Sequence, residues 1–253
     1  MTARKSLVAK AVSELAIIVA GVLIALWVQE WRQSIVDART EHAYLRRLEA
    51  DLRADSARFA GRIDAEARTR RSAEEAMRFV TDGWTAGADT AAVLESFNRA
   101  GFINFVRPQS TTWDDLVSTG NIGLLSDAAL RQSLGAYYQS RNLQTLQEMD
   151  DSRKEQIWYR YWPALESHFP LGFLDRFSGL ARYGDMPAAG SEKRPELART
   201  RIDFRGLRSD PRIVTGLKEA ADLAAVYGGG LRHLVDENRG VLSKVRTAQG
   251  GEP

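Results

Sequence analysis

One stretch constrains this chain more than any other: Ser13 to Trp31, SELAIIVAGVLIALWVQEW. Its uncharged core, Leu15 to Gln29, is somewhat shorter than the roughly 20 residues that cross a hydrocarbon layer about 30 Å thick. Extending it back through Ala11, Val12 and Ser13 closes the gap and brings Glu14 into the span. Two other readings compete, a cleaved signal peptide and a buried helix of a soluble domain. A signal peptide would account for Arg4, Lys5 and Lys10, but no small-x-small cleavage site follows Leu26, where the chain continues Trp27, Val28, Gln29, Glu30, Trp31. Trp27 and Trp31 stand one helical turn apart, as in the aromatic belts at membrane interfaces. The stretch therefore reads as a retained transmembrane helix over residues 13–31, preceded by a basic tail over 1–12.

Basic residues flank both ends, with Arg4, Lys5 and Lys10 before the span and Arg32, Arg39, Arg46 and Arg47 after it. The short, purely basic N-terminal tail tips the balance towards an N-terminus in the cytoplasm and a main domain outside it. Glu14 stands in a costly place, which makes it either a functional group within the bilayer or a side chain reaching the headgroups. Gly21 and Ala25 offer a small-xxx-small face for helix association.

The part beyond the span is long enough for one sizeable domain, and 44% hydrophobic with 27% charged residues is a globular composition. A net charge of +2, from 35 basic against 33 acidic residues, gives no reason to expect nucleic acid as a partner. The absence of cysteine excludes disulfides and thiolate metal sites.

From Arg32 to about Val80 the chain reads as one long helix, a stalk. Leu45, Leu48, Leu52, Phe59, Ile63, Ala67, Met77 and Val80 recur at helical spacing, with Ser56 in the stripe position between Leu52 and Phe59. That stripe needs a partner, either later helices or a second copy. Arg68, Arg70 and Arg71 suit an anion or a lipid headgroup, or form a solvated face balanced by Glu66, Glu74 and Glu75. Asp82, Gly83, Gly87 and Asp89 mark a break, Thr90 to Arg99 a short helix, and Phe102 to Val106 an apolar patch that packs instead of pairing as a strand.

Ser110 to Asp127 follows as the most individual segment. Thr111 with Asp114 resembles a capped helix start, Gly120 suits a left-handed stop, and Ser126 or Asp127 can cap the next helix. Around Trp113, Gly120, Asn121 and Gly123 this is either a ligand or partner loop or a tight corner between helices.

The anchor residues Glu14, Ile17, Gly21, Leu23, Ile24, Ala25, Leu26 and Trp31, the sequence Tyr44 to Leu48, and WDDLVSTGNIGLL from Trp113 to Leu125 carry a resemblance. Together they resemble a family of uncharacterised bacterial single-span membrane proteins. Family members commonly carry Asn or Asp before the tryptophan, where this chain has Val28, Gln29 and Glu30. The resemblance implies an anchored helical domain of a bacterial membrane protein and supplies no reaction; with the orientation read from the flanking charges, the expectation is the bacterial inner membrane with the main domain periplasmic.

A second long helix is expected from about Asp127 to Trp162, with Pro163 ending or kinking it. Trp158, Tyr159, Tyr161 and Trp162, with Phe169, Phe173 and Phe177, line a ligand pocket, rest on the membrane if the helix folds back towards the anchor, or close an aromatic core at the end of the bundle. Residues 178–200 read as an exposed loop, Asp210 and Pro211 as a helix start, Gly228 to Gly230 as close packing or a local break, and 249–253 as a tail.

The familiar catalytic and cofactor signatures are missing: no GxSxG, no phosphate loop, no HExxH. His233 with Glu237, the acidic group Glu148, Asp150, Asp151 and Glu155, and a constellation of Glu148, Asp150 and Asp151 with His168 are the remaining candidates for a metal or catalysis, and surface pairing accounts for them more simply. The expectation is an all-α protein in which a transmembrane helix continues into a stalk that packs in a helical bundle over 32–248. It acts by association with a membrane lipid surface and with its own copies or another membrane protein, without catalytic, cofactor or metal site. The alternative is a sensor-like ligand-binding bundle.

Overall fold

The computed structural model describes the backbone of residues 2–83, 90–103, 105–168 and 203–250, with side chains from Ile18 onward apart from Ala91. The expected 178–200 loop, Phe169, Phe173, Phe177, Gly87, Asp89 and the side chain of Glu14 lie outside the described residues.

Among the described residues the chain is helical and contains no strand. Helix α1 runs unbroken over Thr2–Asp82, consistent with a stretch that contains no proline. It is followed by α2 (Thr90–Ala100), α3 (Thr111–Ser118), a 3₁₀ turn (Asn121–Leu124), α4 (Ala128–Tyr138) and α5 (Arg141–Arg153). A π-helical stretch (Lys154–Tyr161) leads into α6 (Trp162–Glu166), and α7 (Phe204–Ser209) precedes the long α8 (Pro211–Ala248).

No helix is long and apolar enough to cross a membrane among the described residues. From Ile18 the uncharged run extends only to Gln29, short of the roughly 20 residues a span needs, and the expected span's first residues, 13–17, lie outside the described side chains.

The chain divides into two compact units. The first comprises Met1–Asp51, Ser110–Gln132 and Ser243–Pro253. Its core joins Tyr44, Leu45 and Leu48 of α1 to Trp113 and Leu116 of α3, with Leu125, Leu130 and Val245. The second comprises Leu52–Gln109 and Ser133–Leu242. Its core gathers Phe79, Phe97, Ile157, Tyr161, Trp162 and Leu217 with their neighbours. Phe79 meets Phe97 edge to face at 5.9 Å, and the Trp162 indole N–H donates to the Gly101 carbonyl at 3.0 Å.

The buried face of α1 differs from the expected one. Leu45, Leu48, Leu52, Asp55, Phe59, Arg62, Glu66, Thr69, Ala73, Ala76 and Val80 are all buried, at steps alternating between three and four residues. Asp55, not Ser56, fills the place between Leu52 and Phe59, while Ile63 and Ala67 are only half-buried. The hydrophobic stripe misled because paired charges occupy core positions of a strict heptad.

The expected helix from Asp127 to Trp162 is also divided. At Ser140 the backbone is extended (φ −64°, ψ 144°) and its side chain accepts the Leu143 N–H, capping α5. Helical structure persists through Pro163, which lies in the first turn of α6 behind the π turn. In an α-helix a proline ring crowds the carbonyl four residues back, and a wider turn relieves that crowding. Helix α8 runs through Gly228 to Gly230 without a break, and a Cβ at Gly230 would meet Leu146 at 2.9 Å, so that glycine is a close-packing position.

Two glycines of α8 make opposite predictions. A Cβ at Gly216 would lie 2.5 Å from the buried Tyr161 ring, whereas nothing lies within 4 Å of one at Gly229. Gly229→Ala should stabilise the fold by about 0.5–1 kcal/mol through helix propensity. Gly216→Ala should destabilise it by about 1–3 kcal/mol, overpacking outweighing the same propensity gain. Equilibrium denaturation of both variants in one neutral detergent checks the pair, and equal signs would contradict this packing.

Candidate functional site

Charged side chains buried at helix contacts form the most distinctive chemistry of the second unit. Glu66 is 1% exposed on α1 and receives three guanidinium N–H groups. Arg153, the last residue of α5, donates from Nη1 to Glu66 Oε1 at 2.7 Å and from Nη2 to Oε2 at 3.0 Å, a bidentate pair. Arg62, one turn before Glu66, donates to the same Oε1. The Tyr227 ring of α8 lies under the Arg153 guanidinium, 4.4 Å from centroid to charge.

Donors outnumber acceptors in this group. Glu66 has two oxygens for two guanidinium groups, and Arg62 Nε, Arg62 Nη1 and Arg153 Nε are buried with no hydrogen-bond partner. Burial lowers the Arg62 pKa from its ordinary value, an effect Glu66 opposes. Asp150 and Tyr227 perturb one another at the edge of the group. Burial pushes the Asp150 carboxyl above its ordinary range, and burial followed by the Asp150 charge pushes the Tyr227 hydroxyl up to about 12.

A cleft of about 290 Å³ opens beside Glu66, between α1 and α8. Ala67, Ala224, Ala225 and Gly228 leave the space, and Arg70, Arg71 and Arg232 line it. Arg70 is paired with Glu74 at 2.8 Å one turn on, whereas Arg68 is exposed and does not line the cleft. Sequence reasoning placed Glu66 on a solvated face and passed over Arg62, Arg153, Tyr227 and Arg232. The detectable signal was the heptad itself, which puts Arg62 and Glu66 in register with Phe59 and Ala73.

A second polar layer in the same unit surrounds Asp55, which is 0% exposed. Its carboxylate accepts the Gln109 N–H at 2.9 and 3.1 Å and pairs with Arg58. Asn238 donates to the Tyr137 hydroxyl at 3.1 Å and accepts from Ser56 at 2.6 Å. Burial pushes the Tyr137 hydroxyl well above its ordinary pKa.

The residues expected to bind a ligand or partner fall in three places. Gly21, Ala25, Trp27 and Trp31 are exposed on α1. Trp113 is buried, Gly120 adopts φ +73° at the end of α3, Asn121 donates to the Tyr44 hydroxyl at 3.0 Å, and Gly123 is exposed. The segment from Ser110 to Asp127 is thus a tight corner tied to α1 within the first unit. Thr112 donates to Asp51 at 2.6 Å, and Ser126 gives its N–H and hydroxyl to Glu41 at 2.6 and 2.7 Å. Of the aromatic cluster, Tyr161 and Trp162 fill the core of the second unit, Trp158 packs against it, and Tyr159 is 68% exposed.

The acidic and histidine candidates are dispersed. Asp151 pairs with Lys154, Glu155 with Arg160, and Glu237 accepts from Asn142 at 2.6 Å. His168 meets Asp210 at 2.9 Å, and the hydrogen bonds from Arg212 hold that carboxyl far below its ordinary range at the start of α8. Among the described residues no three His, Cys, Asp or Glu side chains gather as metal ligands. No family model, curated protein or solved structure matches the chain.

Two substitutions probe the buried charges. Glu66→Gln leaves two buried guanidinium groups without their carboxylate and should destabilise the fold by about 3–5 kcal/mol, measured by denaturation. Asp150 has its folded pKa raised above the ordinary 3.8, so its protonated form is the one the fold favours. Its contribution is fully present below the unfolded value and is lost as pH rises through the folded one. Asp150→Asn should therefore be more stable than the parent at pH 7 and indistinguishable from it near pH 3. A parent protein that gains stability over Asp150→Asn as pH rises would contradict that sign.

Proposed function

We propose that this chain is a single-span membrane protein whose helical domain acts by association, placed at a bacterial inner membrane with its N-terminus in the cytoplasm and its main domain in the periplasm. One observation carries the reading: every side chain from Ile18 to Val36 is exposed, including Leu23 at 60%, Ile24 at 62% and Trp27 at 67%. These side chains point in all directions around α1. A helix apolar on all sides has no face to turn to water, and lipid is the solvent that suits it. The uncharged residues Leu15 to Ile17 lengthen the run, Trp27 and Trp31 suit the interface, and Arg4, Lys5 and Lys10 suit the cytoplasmic side.

Association in preference to catalysis is supported by what the reactive side chains do. Asp55, Glu66, Arg153 and Asn238 each bond across separate elements of the second unit, holding helices and connecting segments together. The exposed helix around Gly21 and Ala25 offers the contact to a second copy or another membrane protein. A sensor-like bundle is the second reading. Of the aromatic rings that it would use, Tyr161 and Trp162 fill the core and Trp158 packs against it, so its support is the cleft beside Glu66.

Expressed in a bacterium, the full chain should remain in the membrane pellet after alkaline carbonate and be released by detergent, while a chain starting at Asp37 should be soluble and unfold cooperatively. Full-length protein in the carbonate supernatant would sink the anchor. For association, crosslinking in the membrane followed by mild-detergent purification should give a self-crosslinked species or one stoichiometric second protein; an uncrosslinked monomer alone would remove it.

A further inference from the structure

The cleft between α1 and α8 in the second unit carries more positive charge than the fold consumes. Three guanidinium groups, those of Arg70, Arg71 and Arg232, line it with the carboxylates Glu66 and Glu74, and two more, Arg62 and Arg153, bond to Glu66 without lining the cleft. Five minus two leaves three, and counting Asp150, beside Arg153, as ionised still leaves two. Glu66 is occupied by Arg62 and Arg153, and Glu74 by Arg70. Arg71 and Arg232 form no ion pair among the described residues.

Two further observations point to an anion. Arg62 and Arg153 are 4% and 2% exposed, yet Arg62 Nε, Arg62 Nη1 and Arg153 Nε have no acceptor. Buried donors left unmatched cost free energy; neither guanidinium lines the cleft, so a negative charge there offsets their field without being their acceptor. The space itself is also kept open. A Cβ on Gly228 would sit 3.6 Å from the Glu66 Cβ, an ordinary contact, so helix packing does not demand glycine there. With Ala67, Ala224 and Ala225 it leaves a volume at the low end for a ligand site, suited to a small group and not to an extended molecule.

We propose that this cleft binds a phosphate group, with Arg71 and Arg232 as its principal ligands and Arg70 completing the ring of donors. Guanidinium forks match phosphate oxygens bidentately, and several acceptor oxygens on one centre suit cations arriving from two helices. The phosphate comes either from a free phosphate or from the headgroup of an anionic phospholipid, because the recognising chemistry is the same. The proposal does not depend on the membrane anchor.

The test uses the full chain in uncharged detergent micelles, with thermal unfolding followed during titration with sodium phosphate at constant ionic strength set by sodium chloride. The melting temperature should rise and saturate, and Arg71→Ala with Arg232→Ala should weaken the apparent affinity about tenfold or more. Both side chains are exposed, so the double variant should fold normally. Arg239→Ala, which removes an exposed arginine of α8 away from the cleft, should leave the response intact. A second arm replaces phosphate with short-chain phosphatidylglycerol, using phosphatidylcholine of equal chain length as the reference. A response to phosphatidylglycerol alone, lost in the double variant, assigns the site to a headgroup; a response to phosphate with the same loss assigns it to a free anion. No response in either arm, or one that the double variant retains, overturns the proposal.

Discussion

A carboxylate withdrawn from water has to be held by cations, and Glu66 shows what that demands of the second unit. Its position in the heptad of α1 places it in the core, and the core accepts it because Arg153 arrives from α5 with a two-pronged grip while Arg62 closes from the turn before. Removing water makes each of these contacts stronger and makes each incomplete one expensive. Helices α1 and α5 are therefore committed to one register here. A slide by one turn would leave the guanidinium groups buried without a carboxylate, whereas leucines could trade neighbours at small cost. Apolar side chains supply most of the burial, and the ion pair selects among the packings they would tolerate.

The same logic recurs around Asp55, where a buried carboxylate takes a backbone N–H from the segment before α3. In the first unit the acceptors are more exposed, but their spacing is regular. Glu41, Tyr44 and Asp51 lie along α1 and receive Ser126, Asn121 and Thr112. The segment that reads as either a binding loop or a tight corner is tied to α1 as a bracket, with Gly120 supplying the left-handed turn.

Much of the helical framework was legible in the residues. The start at Pro211 behind Asp210 and the cap at Asp127 follow from side chains that act on their own backbone, and the stop at Gly83 from a glycine at positive φ. The buried positions of α8 from Ile213 to Val245 also follow a visible apolar stripe. The break at Ser140 was overlooked because an apolar stripe continues across it from Leu134 to Leu143, and a stripe reports which side is buried without reporting whether the helix is continuous. The candidate cleft was half visible: Arg70 and Arg71 stood out, but Arg232 comes from a helix far away in the chain.

What the sequence determined by itself is what short-range physics controls: helix content, several helix ends, and an uncharged segment from Leu15 to Gln29. What only the tertiary structure decided is which polar residues are buried. Hydrophobicity is a property of one side chain, and so it marked Ile63 and Ala67 for the core and Glu66 for the surface. Whether a charge can be buried depends on its partner, and the partners of Glu66 and Asp55 are supplied by other parts of the chain. Packing against those elements brought the opposite charges and the amide donor within reach, and the heptad register then placed the carboxylates in the core while Ile63 and Ala67 came to line the cleft.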